Sequence, residues 1–373
     1  EVPRDRPSIQ EAIDSARSGD TVLVAPGHYY ENIRFNGKGI VLTSRFARSH
    51  DLADIERTII DGSRPKHADT ASVVMFVNEE DSASVLQGFT ITGGKGTVWL
   101  DAKDHVLFRE GGGILCELAS PIIRFNHIVD NEATAVREGV VSAGGGGIRC
   151  GYAEPTIANN VIRGNRGRYG AGVVLFLSAA TVRNNLIVGN TGGEDFGGSG
   201  LWVVSPLSRR LANVVENNTI ANNRSTNAGV VKPRPLSGLG GGVLTLGVML
   251  EFRDNIVWGN TQASGEQFHA PAAAPITLGR NVVQGGFTAP AKAGGQTLRD
   301  DPRFVDQKAF ELAPGSPVRV GGGQLGAYGG RGSAKLVAVS PIAGQATSAA
   351  GTGVLQRMRA AYDGKWYRTL TFT

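Results

Sequence analysis

One phrase is written five times between Gly111 and Asn260, and it leaves the chain few folds to choose from. Glycines lead into an apolar residue at Ile114, Ile148, Val173, Leu201 and Val243. An asparagine follows twelve residues later at Asn126, Asn160, Asn185 and Asn255, and seventeen later at Asn218. A second asparagine stands five residues further on, at Asn131, Asn165, Asn190, Asn223 and Asn260. A repeat of 25 to 42 residues anchored this way predicts a solenoid, in which each coil buries its apolar face against the next. Gly is 53 of 373 residues with 16 Pro and no Gly-X-Y period, which excludes collagen and fits short strands joined by tight turns.

Each coil reads as three strands: strand one after the glycines, strand two before the first Asn, strand three between the two. Period-two alternation assigns the faces. The interior columns are Ile114, Ile148, Val173, Leu201, Val243; Cys116, Cys150, Leu175, Val203, Thr245; Ile123, Ile157, Val182, Val215, Phe252; and Ile128, Ile162, Ile187, Ile220, Val257. Asn126, Asn160, Asn185, Asn218 and Asn255 then form a structural ladder at a bend. There each amide serves backbone groups that the corner leaves unpaired, and Asn tolerates left-handed dihedrals.

The fold class expected is all-β: a parallel β-helix of three-stranded coils with an N-terminal capping helix and a C-terminal tail. Residues 1–20 hold the cap, with Ser8 as N-cap, Glu11 three residues on, a stripe of Ile9, Ala12, Ile13 and Ala16, and Gly19 as the stop. Such a cap shields a sheet end that would otherwise present bare edges. Residues 21–331 form the β-helix, 332–353 a Ser/Ala/Gly-rich linker, and 354–373 a helix-and-strand arm.

The repeats resemble the right-handed parallel β-helix proteins of the pectin-lyase-like superfamily over roughly residues 7–330. The matching phrases are Ser8-Ile-Gln-Glu-Ala-Ile13, Gly19-Asp-Thr-Val-Leu-Val-Ala-Pro-Gly27 with Tyr29 and Glu31, the Asn-x-Ile-x-x-Asn coils, and Asp301-Pro-x-Phe-Val-Asp306 with Pro314-Gly-Ser-Pro317 and Gly326-Ala-Tyr328. The resemblance implies the fold and is silent on activity, because this fold hosts lyases, hydrolases, epimerases, adhesins and spikes. The polygalacturonase, pectate-lyase and alginate-epimerase catalytic phrases are missing as sets.

In such proteins the groove lies along strand one. Its outward residues here include Leu115, Arg149, Val174, Phe176, Trp202 and Leu244, a strip that is nearly uncharged. An apolar strip of this size marks an interaction face. Three readings follow: inserted loops or the tail cover it, another protein or another copy docks on it, or sugar rings stack on Trp202 and Phe176 beside Arg149. The first-choice function is an exported binding or assembly protein of a cell surface, matrix or filament, partnered by a second copy or a surface polysaccharide. The C-terminal arm offers a route to a homo-oligomer or polymer. The alternative is a polysaccharide lyase, epimerase or glycoside hydrolase acting on an acidic glycan, with Arg149, Glu117, Arg168, Tyr169 and Lys232 as weak catalytic candidates.

Other classes recede. The charge of +5 is too small and dispersed for nucleic acid. No apolar run reaches membrane-spanning length. The six His show no metal spacing. Asp101, Asp104, His105, Arg109 and Glu110 read as a solvated charged loop, with a Ca²⁺ or acid/base site as the second reading, so no cofactor or metal is assigned. Cys116 and Cys150 read as buried thiols with a disulfide open to them. The start at Glu1 reads as a processed or engineered terminus, hence a secreted, extracellular or periplasmic location.

Overall fold

The computed structural model describes residues 1–337 apart from 102–104, 205–211, 248, 271–275, 288–291, 294 and 320–322. Among the described residues the strands form four sheets, two of ten strands and two of eight. Three sheets are the walls of a parallel β-helix. Strand one pairs coil to coil with Ile114 opposite Ile148, then Val173, Leu201 and Val243. Strand two aligns Ile123, Ile157, Val182, Val215 and Phe252, and strand three aligns Ile128, Ile162, Ile187, Ile220 and Val257. All of these inward side chains are fully buried. In the second inward column of strand one, Thr245 brings in a hydroxyl that has no hydrogen-bond partner among the described residues.

Asparagines fix two corners of each coil. The Asn185 amide nitrogen donates to the carbonyls of Ile157 and Arg183 and to Asn218 Oδ1, at 2.9 Å each. Its oxygen accepts from the backbone and side chain of Asn160, at 2.9 and 3.0 Å. The same pattern links Asn126, Asn160, Asn185, Asn218, Asn255 and Asn281. A second ladder runs through Asn131, Asn165, Asn190, Asn223 and Asn260 and ends on Gln267. The left-handed residue is the one before each first-ladder Asn: Phe125, Asn159, Asn184, Asn217 and Asp254. The expectation that the ladder Asn itself takes that conformation is corrected, because its amide is needed inside the corner.

The cap is the helix Ile9–Ser15, which ends at Ala16 rather than at Gly19. Ser8 accepts from the Glu11 amide, and Glu31 accepts from the amides of Ile9 and Gln10 at 2.8 and 2.9 Å. The Tyr29/Glu31 phrase thus ties the cap to the first coil. Two short helices, Phe46–Ser49 and Leu52–Arg57, interrupt the next coil between strands two and three.

The coils stop at the strand Thr297–Leu298, and residues 301–331 are not β-helix as the sequence reading had them. The chain turns back as a strap along the outside of strand three. Phe310, Ala327, Leu336 and Val337 bury Val161, Leu186, Val188 and Ala221, while Leu312, Val318 and Leu325 bury Ile256 and Val282. The strap is pinned in reverse order to Asp254, Thr219, Asn184, Asn159 and His127. Residues 332–337, read as linker, belong to it. The rest of that linker and the arm 354–373 lie outside the described residues. No helix among the described residues is long and apolar enough to cross a membrane.

Two outcomes follow. Asn185→Leu orphans the Asn160 amide and the Ile157 carbonyl inside the corner, and is expected to cost about 3 kcal/mol or more in urea unfolding. His127 is buried under the strap end, with Nε2 2.8 Å from the Leu336 carbonyl. Burial, aided by Arg163 and Lys308 and opposed by that carbonyl and Glu56, holds it below its ordinary 6.5. The unfolded chain therefore takes up a proton that the folded one refuses, and stability falls as pH drops below about 6.5. His127→Gln is expected to lose less melting temperature between pH 7 and 5 than the parent.

Candidate functional site

The segments between the second Asn and the next glycines are strands of the fourth sheet. It runs through Thr70–Ala71, Gly96–Leu100, Leu107–Glu110, Val140–Gly144, Arg166–Tyr169, Thr191–Gly197 and Arg224–Ser225, with Glu132–Ala133 beside it. The stretch 95–110, read as a loop, is an antiparallel hairpin of this sheet. The sheet lies over the outside of strand one.

The docking strip is therefore internal. Leu115, Val174 and Leu244 are fully buried and Trp202 nearly so, packed with Tyr169, Phe108, Phe196, Leu236 and Leu239. Trp202 donates its indole N–H to the Phe196 carbonyl at 3.2 Å, and its ring lies 5.6 Å from Tyr169 and 6.3 Å from Phe176. Of the three readings of this strip, cover by the inserted segments is the one that matches, and the docking face placed at Leu115, Arg149, Val174, Phe176, Trp202 and Leu244 is corrected, with Phe176 left half-buried. The physical reason is the one that raised it: an uncharged strip of this area is stable only when covered, and the chain covers it.

The catalytic candidates separate. Arg149, with 1% of its side chain exposed, is walled in by Glu110, Glu117 and Asp101. Its Nε lies 2.7 Å from Glu110, its Nη1 contacts Glu117, and Asp101 is 4.0 Å away. The Tyr169 hydroxyl donates to Glu110. Burial first, and then the Glu110 charge, push the Tyr169 phenol well above its usual range, so it stays protonated. Arg149 also sits 5.5 Å from the Phe176 ring. This group holds an acid, a cation and carboxylates, the types that lyase and hydrolase chemistry uses. It is sealed between two sheets. Glu110 and Asp101 were missed as its members because their segment has no repeat to align it.

Arg168 lies elsewhere, clamped on Asp195 at 2.8 and 2.9 Å. Burial raises the Asp195 carboxyl, but the bonds from Arg168 and Ser142 outweigh it and hold the group below its ordinary range. Lys232 is exposed. Arg109 binds Asp69 and the carbonyls of Ala68, Gly96 and Ala135, and His105 is exposed at a turn. Asp104 lies outside the described residues. Cys116 and Cys150 are free, buried neighbours, and burial and Cys150 push the Cys116 thiol well up.

The open part of the groove is at its N-terminal end. The fourth sheet stops at Thr70–Ala71, and Arg34, outward on strand Ile33–Arg34, stays exposed. A cleft of 420 Å³ opens there, lined by Arg34, Arg64, Lys66, His67, Tyr30 and Gln10 among others. The Arg64 guanidinium carbon lies over the Tyr30 ring, 3.7 Å from its centre, and the Tyr30 ring stacks on His28 at 4.4 Å. His28 is fixed by Asp61 at 2.8 Å. Glu31, the carboxylate of the cleft, is engaged with the cap helix. Among the described residues Arg34, Arg64 and Lys66 have no carboxylate partner. Sequence reading passed over them because they come from separate segments outside the regular coils.

Arg149→Leu leaves Glu110 and Glu117 buried without their counter-ion, and is expected to cost roughly 3–5 kcal/mol in thermal unfolding.

A family model for the right-handed β-helix region matches residues 32–272. No curated protein matches the sequence. Among solved structures the chain is similar to a pectin methylesterase from Aspergillus niger, at 11% identity over 81% of this chain and 85% of that one, with a TM-score of 0.44. It is similar to a pectin methylesterase in complex with a hexasaccharide, at 10% identity over 78% and 89%, TM-score 0.41. A PL6 family alginate lyase follows at 14% identity over 82% and 54%, TM-score 0.28.

Proposed function

We propose, for a chain that belongs to the right-handed β-helix family, that it binds an acidic glycan in the N-terminal cleft and does not turn it over. The observation that carries this is the convergence of Arg34, Arg64 and Lys66 on one cleft without carboxylate partners. Cations so placed are satisfied by water until an anion arrives, and a carboxylate or sulfate on a sugar ring supplies the complement. Tyr30 holds the Arg64 guanidinium over its ring, so less side-chain freedom is lost on binding. Binding is favoured over catalysis because the acid and base groups around Arg149 are closed off. Docking of a second copy on strand one loses its motive, since that strip is internal. Acidic polysaccharides belong to surfaces and matrices, so an extracellular or periplasmic setting goes with this role.

Calorimetric titration with oligogalacturonate tests it. Binding is expected, weakening steeply with salt. The fully methyl-esterified oligomer is expected not to bind, and Arg64→Ala is expected to weaken binding roughly tenfold or more. Absence of binding to oligogalacturonate and to sulfated glycans by the folded protein overturns the proposal.

A further inference from the structure

A second cleft, of 660 Å³, lies on the far side of the molecule's first coils. One wall is the excursion Phe46–Arg57, with Phe46, Leu52 and Ala53. The other is the corner at Phe125, and Lys335 of the strap closes one end. Its volume falls within the range of small-ligand sites, and its lining is mainly apolar.

The corner residue is the informative one. The left-handed position of this column holds Gly88, Phe125, Asn159, Asn184, Asn217 and Asp254. Five of these are residue types that adopt positive φ readily, and Phe is not. At φ 53° Phe125 keeps a strained backbone in the coil next to that of Gly88, which itself packs against Phe46. The strain places its ring 5.3 Å from Phe46, tilted 42° and half exposed in the cleft wall. Strain of this kind collects where a site needs a particular side chain.

The rim supplies the polar part. Arg124 Nε donates to Gln87 at 2.7 Å, which orients the guanidinium. Among the described residues neither Arg124 nor Lys335 has a carboxylate partner. On the facing wall stand Asp51, which caps the Ala53 amide, and Glu56. A ligand with a second negative group would meet those carboxylates.

We propose that this cleft binds a small planar aromatic monocarboxylate, its ring against Phe46 and Phe125 and its carboxylate on Arg124 and Lys335. This site is separate from the glycan cleft and does not depend on it. The test is a ¹⁹F NMR titration of the full chain with 4-fluorocinnamate. Saturable binding is expected, with 4-fluorocinnamamide at least tenfold weaker. Phe125→Asn restores the residue type that neighbouring coils carry at this corner, so the variant is expected to fold with an unchanged or higher melting temperature. It and Arg124→Gln are each expected to weaken binding about tenfold, while Arg64→Ala leaves it unchanged. The proposal is overturned if the acid does not saturate, if acid and amide bind alike, or if both cleft variants bind as the parent does.

Discussion

Two corners of each regular coil turn on an asparagine whose amide bonds forward, backward and to its own coil. A sharp bend leaves backbone donors and acceptors pointing inward where no strand can reach them, and buried groups of that kind are costly. The ladder satisfies them and sets the register, because each amide must meet the one in the next coil. Columns of like side chains then follow in all three walls. The coil lengths vary mainly between the second asparagine and the next glycines, away from both ladders.

Those variable segments decide what the surface can do. With strand one apolar outside, they had to return as a cover, and they pair with one another as a fourth sheet. The cover has a polar seam of its own at Arg149, where one guanidinium meets three carboxyl groups inside the protein. Burial makes such a seam costly to break, though weak as a source of net stability. Where the cover ends, at Thr70–Ala71, cations appear that pair with no carboxylate among the described residues. The same groove is a packed interior along most of its length and a charged cleft at one end.

The inward face was legible because alternation at Ile114–Glu117 repeats at Ile148–Gly151 and Val173–Phe176, so each assignment is checked by its neighbours. The outward strip was legible as surface needing a cover. Its cover was not, since Thr191–Gly197 has three glycines and no apolar alternation, and pairs with strands 25 to 33 residues away. The strap phrase at Asp301–Asp306 looked like a last coil because turn residues punctuate both. The clefts stayed hidden for a different reason: Arg34 and Arg64, or Phe46 and Phe125, meet only through coil stacking, and no local pattern joins them.

The strap has a mechanical consequence for the stack. In a bare solenoid each coil touches only its neighbours, so an end can fray one rung at a time. Here a single covalent segment is fastened to the coils of Asp254, Thr219, Asn184, Asn159 and His127 in turn. Opening any one of them strips part of the splint that braces the others. The coils are thereby coupled beyond nearest neighbours, and the middle of the molecule is made to melt as a block.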